Sequence, residues 1–187
     1  MNRQLSSTGQ AFSFTISSHP GIENTPFNPL WAAVSPLGLR FFDFGISQEE
    51  FLETVTANTK LTGLSISSLP DPALVQVVSY LNAERKEFSI PIDESGFTGF
   101  QKAVYRAVRE IPYGETRTYD QIGRKLGKTH AARAVGAANS ANPLPIIIPC
   151  HRLVGVEGSL RGYGGKGGIK TKQWLLDLEK NMGKSNR

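Results

Sequence analysis

Cys150 is the only cysteine in 187 residues, and it stands in Pro149-Cys150-His151-Arg152, directly after the apolar run Ile146-Ile147-Ile148. A cysteine sulfur attacks carbon as the thiolate. A free cysteine titrates near ~8.5, so only a few per cent is ionised at neutral pH, and a nearby base or cation is needed to raise that fraction. His151 and Arg152 are groups of that kind. Adjacent side chains tend to point apart, so His151 reaches the sulfur through a bend or a bridging water. A lone cysteine is also, most often, a small buried hydrophobe. Pro145 and Pro149 bracket three β-branched residues, which predicts a short buried strand ending at Cys150, where a rigid element presents a reactive group.

The elements around this segment read as helices. Thr98 and Gln101 form a capping box for a helix whose stripe, Phe100, Val104, Ala107, Val108 and Ile111, stops at Pro112-Tyr113-Gly114. Thr118 and Gln121 form a second box, with Ile122 and Leu126 facing inward and Gly127 as the left-handed terminator. Thr129 is expected to cap the next helix, His130 to about Asn139, which carries Ala131, Ala132, Ala134, Gly136, Ala137 and Ala138. Helix, glycine turn, helix is the helix-turn-helix arrangement. The small residues fit close packing against a neighbour, or a slim helix entering a groove with Arg133 as its one long projection. Tyr119 reads as core, or as a hydroxyl able to hold a phosphate or donate a proton.

The first half looks different. Phe12-Phe14-Ile16, Trp31–Val34 and Leu39–Phe44 read as strands, with Ser35-Pro36-Leu37-Gly38 as a hairpin turn, and Asp71-Pro72 caps a helix carrying Leu74, Val77, Val78 and Leu81. The Ser/Thr-rich stretch from Thr62 to Ser68 reads as a loop. Residues 1–95 hold 5 Lys/Arg against 10 Asp/Glu, and residues 96–187 hold 16 against 6, so the second half is the candidate polyanion binder. Asp93-Glu94-Ser95-Gly96, after the alternating Phe88, Ile90 and Ile92, marks the expected boundary between domains 1–95 and 96–187.

One cysteine excludes an internal disulfide and a cysteine-rich zinc site, and with three histidines no metal is expected. Met1 to Gln10 lacks the pattern of a secretory signal, and no apolar run is long enough to span a bilayer. A soluble, cytoplasmic protein is expected, without a membrane partner.

The stretches Ile111–Thr116, Arg133-Ala134-Val135-Gly136, Asn142-Pro143, Ile148–Arg152 and Gly162-Tyr163-Gly164-Gly165 resemble the O6-alkylguanine-DNA alkyltransferases, also called methylated-DNA–protein-cysteine methyltransferases. The resemblance runs collinearly from residue 97 to about 180. It implies an α+β, two-domain protein: a ribonuclease-H-like N-terminal domain with a structural role, and a mostly helical C-terminal domain with a winged helix-turn-helix. It also implies single-turnover DNA repair, in which the alkyl group of O6-alkylguanine in double-stranded DNA, and in some relatives O4-alkylthymine, passes irreversibly to Cys150. No cofactor is implied, and the protein acts as a monomer. His151 would be the base, oriented by Glu179, with Tyr119 assisting departure of the guanine and Arg133 filling the gap left by the flipped nucleotide. Thr118, Tyr119, Ala131, Ala132, Gly136 and Arg152 would meet DNA. Asn142 would tie the second helix to the cysteine segment, and Pro145, Tyr163, Gly164 and Gly165 would border the base pocket. Tyr105 stands where many relatives carry tryptophan, and the glycine loop 164–168 is longer than usual.

Two other readings stay open on the residues. A non-catalytic lesion-binding protein of the alkyltransferase-like kind would lack the reactive cysteine, which is present here. A cysteine hydrolase using Cys150 and His151 would leave the helix-turn-helix without a role.

Overall fold

A computed structural model describes residues 12–59 and 61–184. The reading of Met1 to Gln10 lies outside the described residues. The fold is α+β. Strands β1 (Phe12–His19), β2 (Leu30–Ser35), β3 (Gly38–Phe44) and β4 (Leu61–Ile66) form one sheet in the order β3-β2-β1-β4. β1, β2 and β3 are antiparallel neighbours, and β4 lies parallel to β1. A parallel partner requires a crossover. Helix α1 (Gln48–Ala57) supplies it, held at its start by a capping box between Ser47 and Glu50.

That crossover gives the sheet two buried faces. Phe51 and Val55 of α1 cover Phe14, Ile16, Trp31, Ala33 and Phe41. On the other face Leu30, Ala32, Phe42 and Phe44 join a larger core with helix α2 (Pro72–Leu81) and most of the second half. The predicted cap Asp71 accepts from the Ala73 N–H at 2.8 Å, with Pro72 in the first turn.

The stretch Thr62–Ser68, expected to be a loop, contributes to β4 instead. As an edge strand it needs no alternating apolar face: Leu64, Ser65 and Ile66 are all exposed, so serines are tolerated while its backbone pairs with β1. The alternating Phe88, Ile90 and Ile92 form no full strand, making one bridge from Ile92 to Leu39. The expected hairpin turn between β2 and β3 is present.

In the second half, α3 (Gly99–Arg109) and α4 (Tyr119–Lys125) begin at the predicted capping boxes, Thr98–Gln101 and Thr118–Gln121. Gly127 takes the left-handed conformation at φ 69°. The next helix, α5, spans Ala132–Ser140 and starts later than the Thr129 cap predicts. His130 is itself left-handed, at φ 61°, which no helix interior accepts, and Ala131 takes the cap position with no side-chain bond. The short parallel pair β5 (Arg117–Thr118) and β6 (Leu153–Val154) and the final helix α6 (Ile169–Lys184) complete the chain.

Three backbone hydrogen bonds anchor β3, two to the segment before the boundary and one to the second half. Leu39 N–H donates to Pro91 at 2.8 Å, Asp93 N–H donates to Leu39 at 3.0 Å, and Phe42 N–H donates to Pro143 at 2.9 Å. The last bond fastens the sheet to the loop that leads into Cys150.

Candidate active site

The approach to Cys150 is a buried coil rather than the predicted strand. Ile146 is left-handed at φ 72°, an unusual place for a β-branched residue. The coil is closed by donation from Ile147 N–H to Pro145 at 2.9 Å, Ile148 N–H to Leu144 at 2.9 Å and Cys150 N–H to Ile148 at 2.7 Å. Prolines at both ends remove the N–H groups that strand pairing would need. Asn142 holds the coil from outside, giving its amide to the Ile148 carbonyl at 2.9 Å and accepting from Leu144 N–H at 3.0 Å. Cys150, His151 and Arg152 then form one 3-10 turn, all buried.

Burial pushes the Cys150 thiol above its ordinary range, offset in part by the Asn142 amide and the charge of Lys172. A base is therefore needed to ionise it. His151, wholly buried, has Nε2 2.8 Å from Glu179 Oε1, while its Nδ1 has no partner among the described residues. Burial lowers the His151 titration despite the adjacent carboxylate, so the ring is neutral at pH 7. Burial opposes ionisation of Glu179, but hydrogen bonds from His151 and Arg152 outweigh it and hold the carboxyl at about 2. Since an ionised carboxylate can only accept, the proton of the neutral ring is assigned to Nε2, and Nδ1 is left as the basic nitrogen.

Glu179 is the hub of this network. Arg152 donates to it through Nε at 3.1 Å and Nη2 at 3.0 Å, and places Nη1 2.7 Å from the Ile111 carbonyl. Arg152 was expected at the DNA. With 6% exposure and its fork spent on Glu179, it is instead an internal partner of that carboxylate. Gly114 N–H donates to Glu179 Oε2 at 2.8 Å, and its φ of 78° explains the glycine in Pro112-Tyr113-Gly114.

Three members of the site escaped sequence reasoning. Tyr80, on α2, donates its hydroxyl to Glu179 Oε1 at 2.5 Å. It lies 99 positions away, and its only sequence signal is a place on the inward face of α2. Asn139 gives its amide to the Cys150 carbonyl at 3.4 Å. Lys172 is fully buried, with Nζ donating to the carbonyls of Leu153 at 2.5 Å and Arg161 at 2.9 Å, and burial lowers its titration.

A cavity of about 220 Å³ opens beside Cys150, lined also by Asn139, Pro145, Gly164 and Gly165 and closed by Phe41 and Asp43 of β3. Tyr163 is not in that lining, and its hydroxyl is buried without a partner among the described residues. A Cβ at Gly165 would lie 2.5 Å from the Phe44 ring and 2.8 Å from Tyr163, whereas at Gly164 the nearest contact would be Ser140 O at 3.8 Å.

The remaining expected residues lie on α4 and α5. Thr118 caps α4, and the Tyr119 ring, half-buried, faces Gly136, where a Cβ would stand 3.9 Å from it. Burial and then Cys150 raise the Tyr119 phenol. Ala131 and Ala132 are half-buried, and Arg133 is exposed with no hydrogen bond or ion pair among the described residues. Tyr105 is buried with its hydroxyl on the Ala138 carbonyl at 3.0 Å, tying α3 to α5.

Residues 99–181 match the family model described as 6-O-methylguanine DNA methyltransferase, DNA binding domain. An inducible methylated-DNA–protein-cysteine methyltransferase of Bacillus subtilis is 49% identical over 59% of this chain, which spans only 60% of that relative's length. A methylated-DNA–protein-cysteine methyltransferase of Methanosarcina barkeri is 40% identical over 86% of this chain and 96% of its own length. Among solved structures, Mycobacterium tuberculosis O6-methylguanine methyltransferase superposes with a TM-score of 0.73 at 35% identity, covering 90% of this chain and 94% of that one. The same species' OGT in complex with DNA gives 0.71, also at 35%, over 90% of this chain and 94% of that one. No helix among the described residues is long and apolar enough to cross a membrane. With the Methanosarcina relative 40% identical and matched over nearly its whole length, the chain belongs to the methylated-DNA–protein-cysteine methyltransferases.

Proposed function

We propose that this protein repairs double-stranded DNA by moving the alkyl group of O6-alkylguanine onto Cys150, once per molecule. The observation that carries the reading is the arrangement behind the thiol: a buried cysteine followed by a buried histidine whose Nε2 is held by Glu179 and whose Nδ1 has no partner among the described residues. His151 Nδ1 takes the thiol proton, directly or through a water, and the sulfur attacks the alkyl carbon in line. The S–C bond forms as the C–O6 bond breaks, and the electron pair leaves with the guanine. A proton returned to the base, assisted by the Tyr119 hydroxyl, makes it a neutral leaving group. No step releases the thioether, which fixes the count at one turnover.

Residues 96–187 act as the DNA-binding and transfer domain, and α4–α5 as a helix-turn-helix in the minor groove, winged by the β5–β6 pair. The positive balance of that half, the exposed Arg133, without an ion pair among the described residues, and the small residues Ala131, Ala132 and Gly136 favour this reading. Arg133 replaces the nucleotide turned into the Cys150 cavity, and backbone contacts offset the few kcal/mol of unstacking. Residues 1–95 form the ribonuclease-H-like domain, consistent with the β3-β2-β1-β4 order. A cytoplasmic location, at the nucleoid or in a nucleus, follows from the partner.

Incubation with a duplex carrying radiolabelled O6-methylguanine tests this. One label per protein is expected, on the peptide containing Cys150, and Cys150→Ala should bind the duplex yet keep none. A protein that leaves both lesion and thiol unchanged is not a transferase.

A further inference from the structure

The catalytic network contains one group from outside the second half. Tyr80 is fully buried, and its hydroxyl lies 2.5 Å from Glu179 Oε1 and 3.4 Å from His151 Nε2. Its ring is fixed by Phe88, at 5.2 Å between centroids, and by the edge of Tyr113 at 5.9 Å, so the position of the hydroxyl follows that of α2.

We propose that Tyr80 is a positioning residue for alkyl transfer: its hydroxyl fixes Glu179 Oε1, and through it the ring of His151, so the N-terminal half completes the base behind Cys150. The inference rests on the role assigned above to Cys150 and His151. Three residues donate to Oε1: Tyr80, His151 at 2.8 Å, and Arg152 through Nη2 at 3.0 Å and Nε at 3.1 Å. A carboxylate oxygen divides its acceptor strength among its donors. The Tyr80 hydroxyl therefore limits how strongly Glu179 holds the Nε2 proton, and keeps the imidazole from becoming a permanently charged partner of the carboxylate. Cys150 and Arg152 from the 3-10 turn, Tyr113 from the turn after α3, Tyr163 from the glycine-rich loop and Lys172 from α6 face the same cluster. All are retained when Tyr80 alone is changed.

The test is the pH profile of single-turnover transfer from labelled duplex, measured on the full chain and on Tyr80→Phe. Without the hydroxyl, Glu179 favours the imidazolium, and the acid limb moves to higher pH. The expected loss is about tenfold at pH 6 and about threefold at pH 9. A loss by one factor at every pH, or none, overturns the proposal and leaves Tyr80 as packing. Should the variant fail to fold, the wild-type protein decides: its Nε2 proton should show magnetisation transfer to a slowly exchanging Tyr80 hydroxyl in NMR spectra, and absence of that contact overturns the proposal as well. A wild-type protein that shows the contact but accepts no label at any pH refutes the transferase reading instead.

Discussion

At the seam between the halves, Arg40 and Asp93 are buried almost as deeply as Arg152 and Glu179 are behind Cys150, yet the two clusters are wired differently. Arg40 donates Nη1 to the Asp93 carbonyl at 3.1 Å and lies over the Phe97 ring at 4.9 Å, while the Asp93 carboxylate is satisfied by Ser35 Oγ at 2.7 Å and Ser95 N–H at 2.9 Å. Neutral groups make the hydrogen bonds to each charge, although Arg40 and Asp93 also attract one another, and a missing side chain at Gly96 leaves room for the guanidinium. Behind Cys150, charge meets charge: Arg152 grips Glu179 with two nitrogens, and a titratable ring shares the same oxygen. A buried ion cluster of the first kind joins pieces of a fold. The second kind adds a neutral ring with a basic nitrogen able to take up a proton, which is what a reaction needs.

The contrast is broken most severely at Glu179. Glu179→Gln leaves Arg152 as an uncompensated buried charge and His151 without its acceptor, so transfer should slow by at least about a hundredfold and stability should fall by about 3–5 kcal/mol. Single-turnover rates and urea unfolding measure both, and a normal rate in the folded variant would remove Glu179 from the mechanism. Arg40→Met tests the other cluster. A cost of about 1–3 kcal/mol in urea unfolding is expected, with the rate per folded molecule unchanged, since ring contacts, a carbonyl bond and the attraction to Asp93 are lost while Ser35 and Ser95 still bond its carboxylate. A rate loss larger than the loss of folded protein would make the seam part of the chemistry.

The smallest effect sharpens the comparison through pH. His151, lowered by burial, and Glu179, held at about 2, both titrate lower in the folded chain than unfolded. Their contributions are therefore complete above the unfolded values and are lost as pH falls toward the folded ones. Stability should decline first below pH ~6.5, as the unfolded chain binds a proton that buried His151 refuses, and again below ~4.3 as Glu179 follows. The first decline amounts to at most ~1.4 kcal/mol per pH unit. His151→Asn should flatten it in unfolding curves between pH 7 and 5, and equal slopes in the two proteins would show that the ring is not held neutral.

Where bonding is local, the sequence was readable. Thr98, Thr118 and Asp71 act as caps because each bonds an N–H two or three residues ahead. Cys150, His151 and Asn142 stand out as candidates because they lie within a few residues of one another in a collinear motif. The errors came where tertiary contacts decide. Three isoleucines suggest a strand until two prolines and Asn142 coil them, and a Ser/Thr-rich stretch becomes β4 only because β1 offers it an edge. Thr129 would be an ordinary cap if His130 were not turned left-handed. Arg152 resembles a surface arginine until Glu179, 27 positions later, is found beneath it. Tyr80 has no local mark beyond its place on the inward face of α2.

The two neighbouring glycines at the cavity mouth are unequal in what they permit. Any side chain at 165 must push aside Phe44 or Tyr163, whereas position 164 has free room toward Ser140. Reshaping this protein to admit bulkier or narrower adducts is therefore open at the first residue of the pair and barred at the second, because there the sheet itself forms the wall.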